Sequence, residues 1–267
     1  IEIPIVASVR SMRRSLTIAR RLTNRFLFPR VARLLALSEG VRQDILSANH
    51  WLDPDKVRVV YNGIDTDRFP LRKTWNDQDV WPVIGNVGRL VYTKGQTYLL
   101  QAFAKLLEVY PGATLKIAGD GPLREELQQE AAHLGIDGRV HFLGFQSDIA
   151  GFFQGIDLFV FPSLFEGLGL SMLESLSTGV PVVASEVGGI PEVLQGMDAG
   201  RLVPPSNVDA LVSAMEEFLQ QGRESLFKLG KQARKQVEEK FSLNGVARNF
   251  EQVYLEEIDS PAERRVM

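Results

Sequence analysis

The chain has 267 residues, 45% apolar and 24% charged, enough to bury a sizeable core in one large or two modest domains. It has no cysteine, which excludes disulfides and thiolate chemistry and fits a reducing compartment, and its three histidines, His50, His133 and His141, are too scattered for metal-ligand spacing. The net charge of −3 is uneven: residues 1–34 hold eight arginines and one acid, Glu2, which hints at an acidic or membrane-surface partner for that part.

No apolar run is long enough to span a bilayer, and the first residue, Ile1, suggests a piece trimmed from a longer protein. IPIVAS reads as a strand and residues 11–28 as a helix. On a wheel of roughly 100° per residue, Met12, Leu16, Ala19, Leu22 and Phe26 share one face, with Arg10, Arg14, Arg21 and Arg25 opposite. The expectation is an apolar face packed on a sheet and a solvated basic face. The alternative places the cations near anionic lipid headgroups, where each adds about 1 kcal/mol. ARLLALS is the next strand, and SEGVRQDILSA is a helix that Ser38 caps. KVRVVYNGID is a strand ended by the turn pair Asn62-Gly63. Residues 66–82, polar and irregular, read as a linker.

A second strand–helix series follows, with about six strands: VIGNVGRL, TLKIAG, RVHFLGF, DLFVFPS, PVVAS and GRLVPPSN. Helices near 223–240 and 243–258 close the chain. Strands alternating with helices predict an α/β protein with parallel sheets. Six strands suffice for one doubly wound domain, while the first series is too short for a complete sheet.

Four loops of the second series carry candidate chemistry. VGRLVYTKGQ places Gly88, Arg89 and Lys94 before a helix start, a good setting for a diphosphate, although a solvated loop with two surface cations also explains it. In GDGP, Gly119 and Gly121 let a ligand press on the backbone and Pro122 suits the first helical position, but a plain turn is sufficient. RVHFLGFQSD ends a strand at Gly144-Phe145, where backbone groups suit the edge of a nucleobase; the bland account is a buried strand with Ser147 capping a helix. The fourth loop, FEGLGLSMLESLSTGVPVVAS, offers Glu166 and Glu174 at the carboxyl end of a strand. Ser171 and Glu174 have capping-box spacing, which accounts for Glu174 without a ligand. Glu166 has no evident structural duty and is the cleaner functional candidate.

Taken together, SEGVRQDI, VYNGID, VGRLVYTKGQ, IAGDGP, VHFLGF and FEGLGLSMLESLSTGVPVVASEVGGIPEV resemble, in order, the retaining nucleotide-sugar-dependent glycosyltransferases of family 4, which have the GT-B fold. The resemblance implies a metal-independent transfer of a sugar from a UDP- or GDP-linked donor, with no cofactor. Arg89 and Lys94 would bind and stabilise the leaving diphosphate, and Glu166 would hold the donor sugar. Backbone at Gly169, Leu170 and Ser171 would touch sugar and phosphate, Glu174 the ribose, and Gly144 and Phe145 the base. Residues 1–65 would be the last portion of the acceptor-side domain, 66–82 a linker, 83–241 the donor domain, and 242–267 a helix crossing back. The first strands of the acceptor-side domain are expected to be missing, and Arg10 stands where the family often has histidine. The expected acceptor is a sugar, polysaccharide or lipid-linked sugar, in the cytoplasm or peripheral on the membrane, with no nucleic-acid partner. The competing reading is a non-catalytic nucleotide-sugar-binding module or an inactive remnant.

Overall fold

The computed structural model describes residues 3–10, 18–72 and 80–259. Two parallel sheets organise them. The first has three strands in spatial order β1-β2-β3: β1 (Val6–Val9), β2 (Arg33–Ala36) and β3 (Val57–Val59). The second has six: β4 (Val83–Val87), β5 (Thr114–Ala118), β6 (Val140–Gly144), β7 (Leu158–Phe161), β8 (Val182–Ser185) and β9 (Gly200–Val203).

The second sheet runs β6-β5-β4-β7-β8-β9, all parallel. Its central strands β7 and β8 are buried at every position, as expected where helices cover both faces. On one face α3 (Gln96–Val109), α4 (Arg124–His133) and α8 (Val208–Leu219) enclose a core with Phe103, Leu106 and Phe218. On the other, α5 (Ile149–Gln154), α6 (Leu170–Ser177), α7 (Ile190–Leu194) and α9 (Gly222–Phe241) enclose Phe153, Phe159 and Phe161. Each fully buried phenylalanine contributes about 1.5–3 kcal/mol of transfer free energy. Strand order reverses between β4 and β7, so the loops that follow them part at a topological switch point, where open α/β sheets take ligands.

In the first sheet, α2 (Glu39–Ala48) packs Val41 and Ile45 against Leu34, Ala36 and Val57. On the opposite face, α10 (Leu243–Asp259) sets Val253 against Leu35 and Val60. The same helix pairs Glu257 with Arg33 (2.5 Å) and Glu256 with Arg58. The backbone crosses between the sheets twice at one place: the Ile64 N–H donates to Phe241 O and the Leu243 N–H to Ile64 O, each at 2.9 Å.

Several expectations need correction. The helix α1 (Ile18–Leu27) does not bury its apolar side: Leu22 is 56% and Phe26 65% exposed. Among the described residues β1 is the edge strand, so no neighbouring strand lies there to cover those side chains; Met12 and Leu16 fall outside the described residues. The linker is less polar than it reads, since Phe69 joins the core and Arg72 is buried; residues 73–79 lie outside the described set. Pro122 sits in a turn before α4, whose N-cap is Leu123, because the chain first closes a turn from Arg124 N–H to Gly121 O. Asp148, not Ser147, caps α5, because it directly precedes Ile149 and its Oδ1 accepts from the Gly151 N–H at 2.8 Å. Ser38 caps α2 as expected, accepting from Val41 N–H at 3.1 Å.

Candidate active site

Lys94 and Glu166 stand 72 residues apart in sequence and form an ion pair at the switch point. The loop after β4 is pressed onto the loop after β7. Leu164 N–H donates to Thr93 O at 2.8 Å. Gly95 adopts φ +68°, and a Cβ there would lie 2.1 Å from Pro162 O, so no other residue allows this approach. With both neighbours of Lys94 fixed on that loop, its ammonium meets the Glu166 carboxylate. Ser163 Oγ donates to the same carboxylate oxygen at 3.0 Å, and Lys94 Nζ lies 5.2 Å from the centre of the Phe161 ring. The Glu166 side chain is 12% exposed, which leaves room for a ligand to replace part of its surroundings.

This pair opens into a cleft of about 430 Å³. Its walls include Gly169, Leu170 and Ser171 at the start of α6, together with Arg10, Leu37 and Asn62 from the first sheet. A helix start leaves backbone N–H groups unsatisfied and carries partial positive charge. The cleft therefore joins two cationic side chains, one carboxylate and a helix amino terminus, a combination suited to a hydroxylated anion.

The glycines predicted to meet a ligand have a packing duty as well. A Cβ on Gly119, at φ +131°, would sit 1.9 Å from Gly88 O, while Gly119 N–H donates to Gly144 O at 2.7 Å. Gly88 also adjoins the Lys94 stem, 3.6 Å from its Cδ by the same measure, and Gly121 backs onto Leu90 O. Gly88, Gly119, Gly121 and Gly144 thus bind the loops after β4, β5 and β6 to one another. Phe145 projects beyond them, 82% exposed. Arg89 is exposed, is absent from the cleft wall and pairs with no acid among the described residues.

Glu174 departs from expectation. The N-cap of α6 is Gly169 at φ +85°, with no side-chain cap bond, so Ser171 and Glu174 form no capping box. The left-handed glycine starts the helix two residues before Ser171, placing that serine inside the first turn. The Glu174 carboxyl accepts no hydrogen bond among the described residues, and burial pushes its pKa up to about 7, against a lowering pull from Arg68.

Sequence reading missed Asn62 and Ser163. Asn62 was assigned to a turn, yet that turn ends β3 at the cleft and Arg10 Nη2 donates to its Oδ1 at 3.4 Å. The signal for Asn62 in the sequence was its place in VYNGID, one of the segments that carry the family resemblance.

The family models match this arrangement. Residues 67–236 match glycosyl transferases group 1, and residues 2–68 match glycosyltransferase family 4. The chain belongs to the group 1 glycosyl transferases. It is 33% identical over 235 residues to an uncharacterized glycosyltransferase of Methanocaldococcus jannaschii, an alignment covering 83% of this chain and 59% of that protein. It spans between 50% and 59% of the length of three curated relatives it matches. A glycosyltransferase from Rickettsia africae superposes with a TM-score of 0.83 at 21% identity, covering 96% of this chain and 71% of that one. Anabaena HepE, solved with UDP and glucose, superposes with a TM-score of 0.81 at 22% identity over 94% of this chain and 71% of its own. The group 1 chain thus has a GT-B type fold, with two parallel-sheet units facing a common cleft.

Proposed function

We propose that the protein transfers a sugar from a nucleoside-diphosphate donor to an acceptor hydroxyl, with retention at the anomeric carbon and without a divalent metal. The observation that carries this reading is the Lys94–Glu166 pair at the switch point of the six-stranded sheet, in a cleft closed from the other side by Arg10 and Asn62. UDP is the first donor nucleotide to try, since a protein of the same fold is solved with UDP and glucose; GDP is the second.

In this reaction the bond between the anomeric carbon and the diphosphate oxygen breaks, building positive charge on the sugar and negative charge on the leaving group. Lys94, the amino terminus of α6 and Arg89 take the negative charge. Cations and dipoles already in place are usually the largest source of rate enhancement. Arg89 joins by a rotation of its exposed side chain. Glu166 leaves its pairing with Lys94 to accept hydrogen bonds from sugar hydroxyls, and so positions the donor rather than attacking it. Glu174 accepts from the ribose, and Gly144 and Phe145 hold the base. The acceptor oxygen forms the new bond on the face the diphosphate leaves, and its proton goes to the departing phosphate oxygen. Isolation of a glycosyl adduct on Glu166 would overturn this route.

The acceptor is a sugar, polysaccharide or lipid-linked sugar reached through the first sheet. The exposed Leu22 and Phe26 beside Arg21 and Arg25 favour one held at an anionic membrane surface. No described helix is long and apolar enough to cross a membrane. Residues 1–65 and 83–241 are proposed as the acceptor-side and donor-side parts. Calorimetric titration of the whole protein with UDP and GDP tests the donor site. Binding weakened in Lys94→Ala supports it, and binding of neither nucleotide sinks it.

A further inference from the structure

The two sheet units meet along a seam where backbone lies on backbone. A Cβ on Gly40 would stand 2.7 Å from Gly188 O, and one on Gly189 2.5 Å from Ser38 Cβ. Two side chains fasten this seam. Ser38 is fully buried; it accepts from Val41 N–H and its hydroxyl donates to Gly167 O at 3.0 Å. Gly189 N–H donates to the same carbonyl at 2.9 Å. Glu192, on the second unit, divides its carboxylate between the Glu39 N–H (2.8 Å) and the Gly40 N–H (2.9 Å) at the start of α2. It also accepts from the Tyr61 hydroxyl at 3.0 Å.

Together these satisfy three of the four donors a helix start leaves open. The Glu192 charge is favourably placed at the positive end of α2. A cap alone requires no residue from another unit, since a local serine or aspartate serves. The cross-unit arrangement adds a fixed link from α2 to Gly167, the residue after Glu166. We propose that Ser38 and Glu192 are positioning residues for Glu166, setting the carboxylate's place in the donor cleft by fastening its loop to the amino terminus of α2. The inference rests on the donor-site reading for its consequence, while the link itself is independently measurable.

The test uses the whole protein with Ser38→Ala and, separately, Glu192→Gln. Hydrogen exchange of amides in residues 165–171 is expected to quicken at least tenfold in each, with β4 and β5 unchanged. Burial first, then Glu192, pushes the Tyr61 pKa up to about 12. A carbon-13 tyrosine titration should therefore show it ionising at lower pH in Glu192→Gln, and unmoved in Ser38→Ala. Exchange unchanged in the loop overturns the proposal. Exchange quickened throughout the second sheet also overturns it, since the residues would then serve stability alone. Should Glu192→Gln fail to fold, Ser38→Ala, which keeps the carboxylate cap, decides the matter. UDP titration of the unaltered protein is read separately: no binding sinks the donor-site reading and leaves the exchange result standing.

Discussion

The six-stranded sheet carries a carboxylate among cations at each of its ends, and the two are built differently. At the amino ends of the strands, Asp157 is 2% exposed and takes the Val83 N–H at 2.7 Å. Arg223 and Arg72 approach it at 3.5 and 3.8 Å. Arg72 also donates to Phe153 O and Ile156 O, and Arg223 donates to Val80 O at 2.7 Å while lying over the Trp81 ring. Those bonds tie the start of the sheet to the segment that leads into it. At the carboxyl ends, Glu166 meets one lysine and one serine on loops, beside a cleft. A cavity of about 420 Å³ adjoins the lower cluster too, so concavity alone does not distinguish them. What differs is commitment: the lower groups anchor fixed backbone, while the upper ones sit where strand order reverses and backbone N–H groups converge.

The largest expected effect breaks the lower end. Asp157→Ala removes the carboxylate that two arginines approach and leaves the buried Val83 amide without its acceptor, and should cost about 3–5 kcal/mol in denaturant unfolding. UDP affinity of the folded fraction should stay unchanged; a loss there would mean the two ends are not separate in kind. At the upper end the opposite pattern is expected. Lys94→Ala should weaken UDP binding by about 10- to 100-fold, as a charge-assisted bond worth about 1.5–3 kcal/mol disappears. Its melting temperature should move little, because the ion pair removed lies in the cleft rather than the core.

Glu174 sharpens the contrast through pH. Its folded pKa, about 7, lies above the usual carboxylate value of 4.5, so the folded state holds the proton more tightly than the unfolded one. Stability from this group is complete below pH 4.5, falls as pH rises through 7, and then levels off. Glu174→Gln should therefore stabilise the protein at pH 8 by about 1–3 kcal/mol and flatten the stability profile between pH 5 and 7. The same variant should weaken UDP binding if the carboxylate holds ribose. Destabilisation at pH 8 would restore the capping role that the helix geometry denies. The smallest effect is reserved for Phe145→Ala: within about 0.5 kcal/mol in stability, since the ring is exposed, with a measurable drop in nucleotide affinity.

Much of the second sheet was legible because β7 and β8 are short apolar runs and the helices between strands have ordinary length. Their hydrophobic pattern reports burial directly. The Lys94–Glu166 meeting was legible only in part. Both residues follow strands, but their adjacency depends on β4 pairing with β7, a relation that no local pattern encodes. Helix starts were the least legible. Ser171 had the right chemistry and Glu174 the right spacing, yet Gly169 began the helix earlier by a left-handed turn. Spacing fixes which residues can cap, while backbone handedness decides which does. The apolar stripe of α1 was correctly periodic, but periodicity does not say whether a sheet lies beneath it.

The double crossing at Ile64 and Ser242 has a mechanical consequence. The outgoing and returning segments are bonded side by side, so both covalent crossings lie at one place rather than at opposite rims. Rotation about that point leaves both crossings intact but must break the Ser38 and Glu192 links between the halves, whereas sliding one half past the other would stretch both crossings at once. A cut at one crossing would also leave the halves moored by the other. The chain is thus bound like a book at its spine, with Ser38 and Glu192 as the clasp.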